Sequence, residues 1–137
     1  MKLAAVSVAL LLLSAAAPAF ADGYPAIKLY SGSTTVTGEE IAYPTLGKAH
    51  VNAMIVTLAP GEKTLLHQHG VPVFIHILEG EVTVDYAGKE KKTFRQGESF
   101  LEAMQVTHAG MNTGVVPVKI LAVYMGSEGT MDVIPVN

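Results

Sequence analysis

Beyond residue 21 the chain never sustains apolar spacing of three and four over a helical length. Short β-rich runs, separated by Gly, Pro and polar turns, follow one another instead. Residues 26–30 read as a first strand, and the Ser-, Thr- and Gly-rich stretch from 31 to Tyr43-Pro44 reads as a loop with one short strand. Residues 51–59 are apolar on both faces, as in a strand placed between two sheets or against a partner. Pro60-Gly61 then turns the chain. Residues 73–78 and 81–86 are further strands around Glu79-Gly80, and Ala87-Gly88-Lys89 is a hairpin tip from which 92–95 returns. After Gln96-Gly97-Glu98, strands are expected over 99–103, 106–111 and 115–125, the last with Pro117 near its start where an edge or bulge absorbs the missing donor. Residues 130–137 read as a tail. Many short strands with turns every eight to twelve residues or so define an all-β sandwich or barrel.

The first part of the chain departs from this pattern. Met1-Lys2 is a short positive start, residues 3–13 are apolar apart from Ser7, and Ala19-Phe20-Ala21 supplies small residues at cleavage positions. That layout is expected of a secretory signal peptide covering residues 1–21, which implies a periplasmic or secreted protein without a membrane anchor after cleavage. The remaining 116 residues, 22–137, make one domain with its core at about 48–126. They carry 8 basic and 12 acidic side chains, so nucleic acid is not an expected partner. Lys89, Lys91, Lys92 and Arg95 cluster, but Glu90 interrupts them within a hairpin, as on a solvated face. The sequence contains no cysteine, which removes disulfides, thiol nucleophiles and zinc–thiolate sites together.

Within the stretch GEKTLLHQHGVPVFIHILEG, His67 and His69 stand two residues apart after a turn and just before a β-run. In extended chain i and i+2 share a face, so two imidazoles aim at one point and form half a metal site. His108 is the candidate for the other half. Each histidine alone reads as an ordinary surface or loop side chain; what points to metal is the three together inside the two motifs that follow.

These residues resemble two motifs of the cupins. Gly61, five residues, His67-Gln68-His69, three residues, Val73, six residues and Gly80 match the first; Gly97, five residues, Ala103-Met104-Gln105, two residues, His108, three residues and Asn112 match the second. The resemblance implies an antiparallel jelly-roll barrel (a double-stranded β-helix) of six to eight strands. It also implies His67, His69 and His108 as ligands to a divalent metal, and a homodimer formed through outer strands such as the face carrying Phe74 and Leu78. Fe2+ is favoured, with Mn2+, Ni2+, Cu2+ or Zn2+ also compatible with imidazole donors.

Three departures stand out. Val73 occupies the position of the family's carboxylate ligand, and Ala103 and Gln105 replace the Pro and Gly of a Pro-x-Gly turn. A fourth ligand is therefore absent or supplied from elsewhere, with Glu102 or Gln105 in reach. Glu102 shares the parity of Phe100 and is the candidate catalytic carboxylate, able to ligate, orient a histidine or move a proton; the alternative is a solvent-facing strand end. Ile75, Ile77, Phe100, Met104 and Met111 are expected around the pocket. His76, opposite in parity to Val73, is expected to face outward, and His50 has no expected role. Two functions fit: a metal-dependent oxygenase acting on a small molecule with an enol, diol or phenolic group, or a non-catalytic barrel that binds a small ligand or metal.

Overall fold

The computed structural model describes residues 24–136 and the backbone of residues 20–21, so the expected leader lies almost entirely outside the described residues. The strands are β1 (Phe20–Ala21), β2 (Tyr24–Pro25), β3 (Ala49–Leu58), β4 (His67–Gln68), β5 (Val73–Glu79), β6 (Glu81–Asp85), β7 (Lys91–Arg95), β8 (Ser99–Leu101), β9 (Ala109–Met111), β10 (Val118–Ser127) and β11 (Ile134–Pro135). No helix occurs among the described residues, and the strands pair antiparallel.

Two layers face each other. One is a four-stranded sheet in the order β3-β10-β5-β8, and the other contains β7-β6-β9. The second layer continues through residues 61–68, which run alongside β9 and its flanks: Gly61 N donates to Asn112 O and Thr64 N to Gly110 O, each at 2.9 Å. His67 and His108 exchange both backbone bonds, and β4 then pairs with β11. The period-2 patterns of the long strands decide what lies between the layers. Val73, Ile75 and Ile77 of β5 are buried with Val118, Ile120, Ala122 and Tyr124 of β10, opposed by Val82 and Val84 of β6. Phe94 and Phe100 stack across the layers with ring centroids 3.7 Å apart.

Several expected boundaries move. Residues 26–30 form no strand, because the segment meets no neighbouring edge; Ile27 is 85% exposed, and the Tyr30 ring lies against Phe74. Residues 102–107 are a loop, so the strand expected over 106–111 shortens to β9. β10 begins after Pro117, whose missing donor falls outside the ladder, while a bulge between Lys119 and Ile120 adjusts the pairing to β5. β3 is not enclosed between sheets: among the described residues it pairs only with β10 and forms an edge. At Gly80, φ is +74° and an added Cβ would sit 2.8 Å from Pro117 O, so the β5–β6 turn requires glycine twice over.

Asn112 closes one end of the barrel. Its buried amide donates to Leu58 O (2.9 Å) and Val116 O (2.8 Å) and accepts from Gly114 N (2.9 Å). Asn112→Ala strands these groups and is expected to cost about 2–4 kcal/mol, read as a lower urea midpoint at unchanged m-value. Asn112→Asp sets a carboxylate against two carbonyls and is expected to be no better than Ala.

Candidate metal centre

The exchanged backbone bonds between His67 and His108 bring the two imidazoles side by side across adjacent chain segments, with ring centroids 4.4 Å apart and ring planes tilted by 58°. His69 follows on the same face, 4.9 Å from His67 and 5.1 Å from His108. One nitrogen of each ring lies within 4.8 Å of the others. Bonds of about 2.1 Å set two ligands of one ion at most about 4.2 Å apart. The three nitrogens are thus near enough for side-chain rotation to bring them onto a single ion.

The protonation pattern suits metal. His67 Nδ1 donates to Leu65 O (2.8 Å), His69 Nδ1 to Asp132 O (2.9 Å) and His108 Nδ1 to Val106 O (2.8 Å). A carbonyl only accepts, so each Nδ1 carries its hydrogen and each neutral ring keeps its lone pair on Nε2. Burial lowers the proton affinity of all three and pushes His69 down to about 4, so the rings are neutral at pH 7. His108 Nε2 is buried without a hydrogen-bond partner. A buried unpaired acceptor flanked by two more imidazoles is a donor set that fits a divalent metal.

Beyond the rings is a cavity of about 90 Å³, walled mainly by Val56, Ile75, Phe100 and Ile120, with Glu102 and Tyr124 as polar members. Ile77 is buried core and does not reach it, and Met104 and Met111 do not line it either. Gln105 is exposed, bonds through its backbone and does not line the cavity. His76 faces outward as expected, with Nδ1 2.8 Å from Ser99 Oγ.

Glu102 is a cavity residue, not a solvent-facing one; it is 6% exposed. Its oxygens are not part of the close histidine group. Tyr86 OH and Ala103 N both donate to Oε1 at 2.8 Å. Burial raises its pKa to about 7, while the two bonds and nearby His67 act in the opposite direction. Burial and the Glu102 charge also push Tyr86 upward, so its phenol remains a donor. The pairing of β5 with β8 sets Phe74 opposite Leu101, and Glu102 N donates to Val73 O at 2.9 Å. Glu102 thus stands one rung along, across the ladder from Val73. Val73 itself is fully buried core, and the acidic group near the histidines sits just past the end of β8, the neighbouring strand.

Two contributors lie far from the motifs. The expected tail is a strap: β11 pairs with the histidine-bearing β4, and Asp132 O orients His69. Glu39, from the N-terminal loop, bonds the backbone of residues 104 and 105. Neither carries a local sequence signal, since one acts through a carbonyl and the other across more than sixty residues.

A two-layer antiparallel barrel with three inward histidines at one mouth defines a double-stranded β-helix with a candidate metal centre. The cupin domain family model matches residues 54–124, more than half of the chain, and the chain belongs to that family. No curated protein matches it. Among solved structures it is similar to an RmlC-like cupin protein from Methanocaldococcus jannaschii (20% identity, 58% of this chain and 73% of that one, TM-score 0.53). It is also similar to oxalate decarboxylase from Lactobacillus farciminis (22% identity, 63% and 26%, TM-score 0.54). A third match is the DMSP lyase DddQ from Ruegeria pomeroyi (24% identity, 61% and 42%, TM-score 0.52). At these identities the likeness is one of fold.

Proposed function

We propose that this chain is an exported, metal-dependent cupin enzyme that acts on a small organic molecule, with an oxygenase reaction favoured. The observation that carries this reading is three neutral imidazoles converging beside a cavity that also holds a buried carboxylate poised near neutrality. His67, His69 and His108 would hold the ion, Fe2+ by preference, and a redox metal so held supplies Lewis acidity and dioxygen chemistry. The chain's own part is to orient the three rings, exclude water with aliphatic walls, and take or return a proton at Glu102. The cavity is walled mainly by apolar side chains and sets no Lys or Arg against a bound molecule. An oxygen-bearing end directed at the metal with a small apolar body suits it, as in an enol, diol or phenol.

A second reading, a barrel that binds ligand or metal without turnover, is favoured by Val73, which puts core where the family's carboxylate ligand stands. Anaerobic loading with Fe2+, followed by oxygen-uptake assays with catechols and β-diketones, separates the two. Iron-dependent uptake that disappears in His108→Ala supports the enzyme; retained ligand without uptake supports the binder.

We also propose a homodimer, through β3 in place of the outer face at Phe74 and Leu78. Phe74, His76 and Leu78 do point outward, but they are half-buried, with Tyr30 against Phe74. Val51 and Ile55, 60% and 61% exposed on the open edge strand, are the freer apolar surface, and β3 carries no Lys, Arg, Asp or Glu to blunt that edge. Antiparallel pairing centred on Ala53 sets Val51 of each copy opposite Ile55 of the other. Light scattering is expected to give two chains per particle for the wild type and one for Val51→Lys/Ile55→Lys. A monomeric wild type overturns the dimer.

A further inference from the structure

We propose that Glu39 is a positioning residue for the metal centre: from outside it, this carboxylate clamps the loop that carries the second motif and thereby sets His69 and His108. The inference rests on the metal reading above.

The clamp is a dense set of bonds. Glu39 Oε2 accepts from Met104 N (3.0 Å) and Oε1 from Gln105 N (2.8 Å). Thr37 and Thr35 hydroxyls donate to Oε2 at 2.8 and 3.2 Å, and Glu39 N donates back to Thr35 Oγ1. The loop it holds lies between Glu102 and His108, and the Met104 carbonyl accepts from His69 N at 2.8 Å. One carboxylate therefore fixes the backbone leading to His108 and, through a single peptide group, the backbone of His69. Lys92 Nζ reaches Val36 O at 2.8 Å and Val36 N donates to Leu101 O at 2.8 Å, which anchors the Glu39 loop on the barrel.

The sequence supplies the reason such a clamp is needed. Where the motif has Pro-x-Gly, this chain has Ala103-Met104-Gln105, which lacks the ring constraint at the first position. All three N–H groups of this tripeptide go to carboxylates, Ala103 to Glu102 and the other two to Glu39. Fixed geometry that a proline would impose covalently is imposed here by charge-assisted hydrogen bonds. Burial acts to raise the pKa of Glu39, but the bonds from Gln105, Thr37, Met104 and Thr35 prevail and hold it lowered, so the clamp is an anion throughout the neutral range.

The test compares wild type, Glu39→Gln and, as control, the exposed neighbour Glu40→Gln, with Co2+ as the probe metal. Co2+ affinity is measured by chelator competition, ligand geometry by the visible spectrum of the Co2+ form, and loop order by amide exchange of the metal-free protein. Gln has one acceptor oxygen and leaves one of the two amides unpaired. The expected result for Glu39→Gln is affinity lower by about tenfold or more, an altered Co2+ spectrum, and faster exchange at Met104 and Gln105, with Glu40→Gln unchanged in all three. A variant that is merely less stable would show raised exchange across the barrel with the wild-type spectrum; that result overturns the proposal, as do unchanged affinity and spectrum. Failure of the wild type to bind Co2+ overturns the metal reading itself, and unchanged exchange at 104 and 105 then overturns the clamp separately.

Discussion

His108→Ala is expected to weaken divalent-metal binding by on the order of 100-fold or more, at least as large a loss as changing a group hydrogen-bonded to a ligand causes, while leaving the metal-free protein folded. The ring is buried and held through Nδ1, yet its Nε2 has no partner without metal. Deletion removes packing and also removes a stranded polar atom, whose burial costs about 1–3 kcal/mol. These effects oppose, so the melting temperature of the metal-free variant is expected to stay within a few degrees of wild type. The difference shows on loading. Metal at a thousand times its Kd stabilises the folded state by about 4 kcal/mol, on the order of 15 °C for a domain of this size. Differential scanning calorimetry with and without metal is expected to show that rise in the wild type and about a third of it or less in His108→Ala. An equal rise in both would remove His108 from the ligand set.

The histidines were legible because the signal is local: i and i+2 on an extended segment share a face whatever the rest of the chain does. The alternation of β5 was legible for the same reason, and it orients Val73 inward and His76 outward as expected. Pairing partners were less accessible. Apolar residues on both faces of 51–59 fitted a strand between two sheets or against a partner, and the edge position of β3 removes the first, because periodicity reports how a strand is patterned and not what lies beside it. The tail from 130 and the Glu39 loop have compositions that signal only turns. Their roles arise from backbone groups they meet in space: Asp132 O at His69, and the amides of Met104 and Gln105 at Glu39. The departures from the second motif also become intelligible. A proline at 103 would have no N–H for Glu102, and 105 needs no glycine, since Ala87 is the only non-glycine with positive φ among the described residues.

Glu102→Gln is expected to lower turnover by about 10²–10⁴-fold with metal affinity little changed. Gln keeps an oxygen for Tyr86 OH and Ala103 N, so the local bonds survive and only the proton-exchanging group is lost. If Glu102 serves as base, wild-type activity rises through about pH 7, where this buried carboxyl ionises, and the variant lacks that rise. Tyr86→Phe removes a bond that favours the carboxylate and moves the rise to higher pH. The same group marks stability of the metal-free protein, with a definite sign. Glu102 is raised on folding, from an ordinary 4.5 to about 7, so the stability it contributes is complete below pH 4.5 and is lost as pH climbs through 7. His69 is lowered on folding, from 6.5 to about 4, so its contribution is present above 6.5 and lost as pH falls through 4. His67 and His108 act in the direction of His69, so the histidines dominate below 6.5 and only Glu102 titrates above it. Urea titrations are therefore expected to find maximal stability near pH 6.5, with a decline of about 1 kcal/mol toward pH 8 that Glu102→Gln abolishes. Full turnover in Glu102→Gln would leave the carboxyl a structural acid; an unchanged alkaline decline would place its ionisation elsewhere.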